Sequence, residues 1–462
     1  FGSRAQASAR PSARPTAPYP AGRQAGRLRR SRAPQSAGGE MQNEASSEDE
    51  SSSDYSSETG GSSCDEDATE KLPPRRSAMV IMTFVIGGYT LIGPLQHDLK
   101  HRLNIGDAGG VNEMFTQSVA FVQWGKTFMT LGQNVLLSCF ATVHRVYIAM
   151  IIMLCGTLIP PLFVFTLGST WLGWVPLCYG MVGLALGVFE CTYLSVISPL
   201  GPLTKSWAIM GFPAAFAIVN IVGQSLMALF DMPVAVIFWY IVLCQPLAIV
   251  LFRRLAPHGT QVDGKSYKQS SIRASLRDWR SWLLRVLPFC LVNIMSHFVM
   301  ESVLPAVFNT YNAHEVALFG PTNNEVLMEK TWFLVVLSIC MAIADMSSRK
   351  LGYHIQVKNT KSFYLALAFA LVCCTVGLYA TTMGVAAIAW FAVFLAFFGA
   401  GFNYAIASRY IDGYVPRKHN LAAYSIWMFV GYCGAISGAV LVTMVRHWIC
   451  GGVEYEHQCR SH

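Results

Sequence analysis

Two strongly charged side chains, Asp345 and Arg349, lie at the end of an apolar run that extends from Trp332 to Ala344. Their i,i+4 spacing places both on one face of a helix with the acid first, which is the favourable order for a helical ion pair. Ionisable groups inside a membrane are costly, and they usually face one another or a water-filled cavity. The pair is therefore a candidate site for binding a polar solute within a bilayer.

Two further carboxyl groups lie in apolar runs. Glu190 is in the middle of one, where it could hydrogen-bond a neighbouring helix, bind a solute or transfer a proton. Glu301 comes four residues before Pro305, and proline cannot donate a hydrogen bond to the carbonyl four residues before it. A kink with a free carbonyl is predicted there. Broken helices in mid-membrane are typical of transporter sites, and a simple packing kink is the alternative.

The composition indicates a membrane protein. Apolar residues make up 53% of the chain and charged residues 13%, against roughly 25% charged in soluble domains. A hydrocarbon core of about 30 Å needs about 20 helical residues. Eleven runs meet that length and are predicted spans, at 78–96, 116–139, 146–166, 171–198, 206–230, 234–252, 283–308, 331–348, 362–382, 385–408 and 420–446.

Lysine and arginine accumulate in alternate loops, and this bias marks the cytoplasmic side of a membrane. It predicts a cytoplasmic N-terminus and an extracellular C-terminus, and we expect the plasma membrane. The first segment mixes an arginine-rich stretch with serine and acidic residues, which cannot bury enough apolar area to fold. The predicted segments are a disordered tail 1–76, spans one to six in 77–252, a basic cytoplasmic loop 253–282, spans seven to eleven in 283–448 and an outer tail 449–462.

Several classes of site have no motif in this chain. The sequence contains no phosphate-binding Walker A loop, no metal-ligand spacing of His, Cys or carboxylates, and no Gly-x-Ser-x-Gly nucleophile motif. We therefore expect no enzyme activity, no cofactor and no metal. Cys450 and Cys459 lie in the predicted outer tail, where a disulfide is allowed. The spacings Gly183-x-x-x-Gly187 and Gly434-x-x-x-Gly438 predict closely packed helices.

Four sequence patterns together resemble the equilibrative nucleoside transporter family. Asp345-Met346-Ser347-Ser348-Arg349 is similar to the family's Asp-x-x-Gly-Arg, with Ser348 in place of glycine. Leu304-Pro305-Ala306-Val307 is similar to its Phe-Pro-Ala-Val. The stretch from Glu190 to Gly211 follows the family pattern without a gap, with Glu190 where glutamine is usual. Asn403-Tyr404, a short basic loop and a final helix rich in small residues complete the match.

The resemblance implies a carrier of nucleosides or nucleobases, with purines as the main substrates, that works by alternating access and is facilitative or proton-linked. By this resemblance, Asp345 and Arg349 are expected to contact the sugar hydroxyls or the base, and Glu190 is expected to face the nucleobase edge. The family often has Pro-Trp-Asn in the first span, where this chain has Pro94-Leu95-Gln96 and lacks the stacking tryptophan. Gln96 and Glu301 complete the expected substrate-binding set.

The sequence therefore predicts an all-α polytopic membrane protein with about eleven transmembrane helices in a major-facilitator-like 6+5 bundle. The expected partners are a small-molecule substrate and the lipid bilayer, with possible proton coupling and without nucleic acid. Two alternatives stay open. One is a major-facilitator-type carrier of another small polar solute, such as an amino acid. The other is a non-transporting receptor or scaffold, which the charges in the apolar runs disfavour because a scaffold gains little from them.

Overall fold

A computed structural model describes residues 75–91, 99–100, 102–103, 105, 110–230, 232–256, 272–311, 315–319, 326–355 and 360–451. Four parts of the sequence-based prediction lie outside them wholly or in large part: the tail 1–76, Gln96, the middle of the basic loop and the outer tail. The orientation of the chain in its membrane stays a prediction.

The N-terminal half of the bundle, residues 75–256, is helical in its described residues. Two of the helices pass into a π-helical turn, and the first of these turns begins at the consecutive prolines Pro160 and Pro161. The helices are α1 Ser77–Thr90, α2 Gly110–Leu136, α3 Thr142–Ile159 with π-turn Pro160–Thr166, α4 Trp174–Ile197 with 3₁₀ turn Ser198–Leu200, α5 Pro202–Ala217 with π-turn Ile218–Gly223, α6 Gln224–Phe230 and α7 Val234–Leu255.

The C-terminal half, residues 272–451, is also helical and contains one short hairpin that the sequence did not predict. Strands of three residues are too short for a periodic pattern to show. The elements are α8 Ile272–Arg277, α9 Trp279–Thr310, β1 Glu315–Ala317, β2 Leu327–Glu329, α10 Lys330–His354, α11 Thr360–Thr381, α12 Ala386–Tyr414, 3₁₀ turn Arg417–His419, α13 Asn420–Val440 and α14 Val442–Gly451.

Within the described residues, nine helices are long and apolar enough to cross a bilayer. Helix α1 is apolar but has 14 residues, and α2 has 27 residues of more polar composition. With these two, the helices follow the order of the eleven predicted spans. The last predicted span, 420–446, is not one helix, because the chain turns at Leu441 between α13 and α14.

The two halves repeat one packing scheme. Three packed helix pairs of the N-terminal half each have an equivalent in the C-terminal half. The pair α1 and α5 corresponds to α9 and α13, the pair α2 and α4 to α10 and α12, and the pair α3 and α4 to α11 and α12. The halves meet along two equivalent seams, α2 against α13 and α5 against α10. Parallel repeats of this kind are found in the two halves of major-facilitator transporters. We call the end that carries the β-hairpin the hairpin end, and the end where α7 finishes and α9 begins the loop end.

Glycines bring helices into backbone contact within each half, as the small-residue spacings predicted. Any Cβ at Gly183 or Gly187 of α4 would run into a backbone carbonyl oxygen of α2. Likewise, a Cβ at Gly434 or Gly438 of α13 would run into a carbonyl oxygen of α9. Only a residue without a side chain lets the backbones approach so closely. These contacts hold α2 on α4 and α13 on α9.

The contact at Gly187 is testable with one methyl group. We expect Gly187→Ala to lower the free energy of unfolding by about 1–3 kcal/mol, because the backbone of α2 must shift to admit the methyl group. Thermal unfolding of the protein purified in detergent measures the change. Gly180→Ala on the same helix is the matched control, since a Cβ there has no atom within 4 Å. Equal effects of the two substitutions would contradict the packing argument.

Candidate functional site

Asp345 and Arg349 form a buried, two-pronged ion pair on α10. Arg349 Nε donates to Asp345 Oδ1 at 2.7 Å, and Nη2 donates to Oδ2 at 3.1 Å. Each residue is 4% exposed. Parallel N–H···O bonds between a guanidinium and a carboxylate combine charge with fixed geometry. The helical ion pair that the i,i+4 spacing predicted is therefore present and buried in the protein.

The guanidinium of Arg349 also reaches the opposite half of the bundle. Its Nη1 donates to the Ile209 carbonyl oxygen of α5 at 3.2 Å. The centre of the guanidinium lies 4.3 Å from the ring centroid of Tyr404 and 5.1 Å from that of Phe212. Both distances are within the roughly 6 Å range of cation–π attraction. Arg349 thus joins α10 and α12 of the C-terminal half to α5 of the N-terminal half.

Glu190 of α4 is held by two tyrosines of the opposite half. The Tyr404 hydroxyl of α12 donates to Oε1 at 2.7 Å, and the Tyr432 hydroxyl of α13 donates to Oε2. An ionised carboxylate only accepts hydrogen bonds, so two donors suit the charged form. Since Tyr404 also lies against Arg349, one ring connects Glu190 with the ion pair of α10.

Lys126 of α2 is a buried cation that the sequence analysis missed. Its Nζ lies 4.3 Å from the ring centroid of Tyr432 and 5.4 Å from that of Tyr89. Among the described residues, no carboxylate oxygen comes within 4.0 Å of this ammonium. The charges of Glu190 and Glu301 act on it from a greater distance. A lysine inside the predicted span 116–139 was detectable from residue type alone.

Glu301 lies on α9, apart from the ion pair. Its Oε1 accepts a hydrogen bond from Gln123 Nε2 of α2 at 3.2 Å. Helix α9 continues through Pro305 to Thr310, so the helix is not broken there, and a bend at Pro305 stays a prediction. His297 of the same helix contacts the Asn293 carbonyl oxygen through Nδ1 at 3.1 Å.

A small cavity adjoins Asp345 between α5 and α10. Its volume is about 10 Å³, which is about the space that one water molecule needs and far below the roughly 300–1,000 Å³ of typical small-molecule pockets. The two halves are therefore packed closely at this seam. The cavity is lined by Phe212, Pro213, Phe216, Met341, Ala342, Asp345 and Phe397.

The predicted site residues divide into two groups in the structure. Asp345, Arg349 and Glu190 are brought together through Tyr404, whereas Glu301 lies with Gln123. Gln96 lies outside the described residues. The two tyrosines on Glu190 could not be found from sequence, because tyrosines are common in the spans and their partner lies over 200 residues away.

A second ion pair, between the buried Lys205 and the partly exposed Asp412, lies at the loop end. Lys205 Nζ at the start of α5 lies 2.5 Å from Asp412 Oδ2 at the end of α12, and it also donates to the Ser198 hydroxyl at 3.1 Å. Asp412 Oδ1 accepts hydrogen bonds from Ser198, Asn420 and Tyr424. Since Ser198 and Lys205 belong to the N-terminal half and the others to the C-terminal half, the cluster bridges the two halves. The sequence analysis did not predict this pair.

Neither a family model nor a curated protein matches the chain. Several solved structures do match it. The human organic anion transporter MFSD10 superposes with a TM-score of 0.57 at 14% identity, over 82% of this chain and 95% of that one. The proton:xylose symporter XylE, bound to 6-bromo-6-deoxy-D-glucose, gives 0.57 at 12% identity, over 83% and 91%. This chain has the major facilitator fold. The prediction of an all-α, major-facilitator-like helical bundle is confirmed.

The buried pair on α10 predicts a non-additive response to substitution. We expect Asp345→Asn to cost about 3–5 kcal/mol, because Arg349 is left as an uncompensated buried charge. The double change Asp345→Asn with Arg349→Met removes both charges and should cost less than the sum of the single changes. Unfolding of the four proteins in detergent gives the coupling energy. Additive costs would contradict the ion pair described above.

The loop-end cluster predicts local opening. We expect Asp412→Asn to raise hydrogen–deuterium exchange in the 198–205 and 412–424 segments several-fold, because Lys205 loses its counter-charge and the halves separate more readily there. Asp278→Asn is the matched control, since Asp278 pairs with Lys418 and His419 within the C-terminal half. If exchange in 198–205 rises equally in the control, the cluster does not hold the halves together.

Proposed function

We propose that the protein is a membrane carrier that moves a small polar solute by alternating access between its two halves. The observation that carries this proposal is the convergence of buried charged groups from both halves on one interface. Glu190 and Lys126 come from the N-terminal half, and Asp345 and Arg349 come from the C-terminal half. Ionisable groups in membrane proteins mark substrate and ion pathways. The major facilitator fold supports the same proposal.

We further propose that the solute is a nucleoside or nucleobase, with purines preferred. Support comes from the resemblance of the Asp345-to-Arg349 motif and of Leu304-Pro305-Ala306-Val307 to the equilibrative nucleoside transporters. The pair on α10 presents a guanidinium and a carboxylate, which suit the hydroxyl groups of a ribose or the polar edge of a base. Glu190 stands where that family has glutamine. When it is ionised, Glu190 can only accept hydrogen bonds, whereas a glutamine can also donate them.

The fold itself does not choose a substrate, because one fold hosts many functions. The two structural neighbours are an organic anion transporter and a proton:xylose symporter. A carrier of another polar solute, such as an amino acid, is therefore the alternative within transporters, and a receptor or scaffold is the alternative outside them. Proton coupling would involve Glu190 or Glu301. We propose the plasma membrane as the location, with the N-terminus cytoplasmic.

Uptake of labelled adenosine, hypoxanthine and an amino acid into oocytes tests the proposal. We expect saturable purine uptake that Asp345→Ala reduces at least tenfold, since the loss of one charge-assisted contact is worth about 1.5–3 kcal/mol. Uptake at two external pH values, in wild type and in Glu190→Gln, tests proton coupling. Surface expression is measured for every variant. Full surface expression without uptake of a purine would overturn the proposal, and amino acid uptake would favour the first alternative.

A further inference from the structure

Lys126 has unused hydrogen-bonding capacity at the centre of the bundle. The residue is 4% exposed, and its ammonium contacts the faces of Tyr89 and Tyr432 without donating a hydrogen bond to a described residue. A ring face attracts the charge but leaves N–H donors unsatisfied. Buried polar groups are almost always hydrogen-bonded, and those that are not call for an explanation. A bound ligand that offers an acceptor would supply the missing partner.

Gln123 supplies an acceptor beside this donor. It precedes Lys126 by three residues, so both side chains lie on one face of α2. Its Nε2 donates to Glu301, and a carboxylate can only accept, so the orientation of the amide is determined. Gln123 Oε1 is left buried without a partner among the described residues. A free donor and a free acceptor therefore belong to side chains that lie about one turn apart on the same face of the helix.

The surrounding charges favour a neutral ligand over an anion. Glu190 and Glu301 both act electrostatically on Lys126, and in their ionised forms they outnumber the one positive charge of the lysine. An anion bound at Lys126 would face both carboxylates, and like charges in a low-dielectric interior repel strongly. An uncharged group with an acceptor next to a donor meets the same residues without that cost.

We infer that Lys126 and Gln123 form a subsite that selects 6-oxopurines over 6-aminopurines. The inference rests on the proposed function and names its substrate class. A 6-oxopurine carries the acceptor O6 beside the donor N1–H, which matches Lys126 Nζ and Gln123 Oε1 in order. Lysine commonly pairs with the O6 and N7 acceptors of guanine. Adenine has an amino donor at position 6 and an acceptor at N1, so both contacts are mismatched. Glu301 acts as a positioning residue through the Gln123 amide.

The wild-type protein provides the first test. Uptake of labelled inosine is measured in oocytes against rising concentrations of hypoxanthine, guanine, adenine and unsubstituted purine. We expect hypoxanthine and guanine to compete at concentrations about 10- to 100-fold lower than adenine and purine, from the discrimination of one donor–acceptor contact. Equal competition by hypoxanthine and adenine, or a preference for adenine, overturns the inference. This test needs no variant to fold.

Lys126→Met provides the second test, because it keeps an unbranched side chain of nearly the same length and removes the donor. We expect the preference for hypoxanthine over adenine to fall to about twofold or less, from loss of the contact. Lys205→Met is the matched control: it removes a buried lysine at the loop end, so we expect the preference to stay as in the wild type even where the rate of uptake changes.

The outcomes separate the two proposals. Purine uptake with the preference intact in Lys126→Met overturns the subsite and leaves the carrier function standing. Surface-expressed wild type that takes up no purine overturns both. Uptake of an organic anion in place of purines, lost in Lys126→Met, would assign Lys126 to an anionic substrate and overturn the 6-oxopurine subsite.

Discussion

Charge neutralisation inside an apolar environment is the constraint on which the rest of this structure depends. Hydrocarbon offers no hydrogen bonds, so each buried charge needs a partner within the protein. Asp345 and Arg349 meet that need with two parallel hydrogen bonds, and Arg349 uses its remaining surface on Tyr404, Phe212 and the Ile209 carbonyl. Since these partners come from both halves of the bundle, satisfying one guanidinium also fixes how α5, α10 and α12 meet.

Local sequence predicted those features whose partners are close in the chain. The ion pair on α10 is visible because its members are four residues apart, and the glycine contacts are visible because each glycine repeats after one helical turn. The partners of Glu190 are not visible in this way. Tyr404 of α12 and Tyr432 of α13 approach it only where the two halves of the bundle meet, and no periodicity records that contact.

The fold could be predicted further than the site. Runs of apolar residues report directly on helices in a bilayer, and the helices followed the predicted order. The turn at Leu441 was missed because its surroundings are as apolar as those of a continuous helix. In the function that we propose, substrate choice depends on a few polar atoms, such as Lys126 Nζ and Gln123 Oε1. The surroundings of these atoms are set by residues on four helices, so neither hydropathy nor the overall fold determines substrate choice.

The glycine contacts have a mechanical consequence. Within each half, α2 on α4 and α9 on α13 touch backbone to backbone, with no side chain between them that could change rotamer. Between the halves, the ties described here are side-chain hydrogen bonds and ion pairs, such as those at Glu190 and at Lys205. Deformation will therefore concentrate where exchangeable side chains meet, and each half will move as a stiff block. The two halves thus behave as rigid bodies whose mutual contacts can break and re-form.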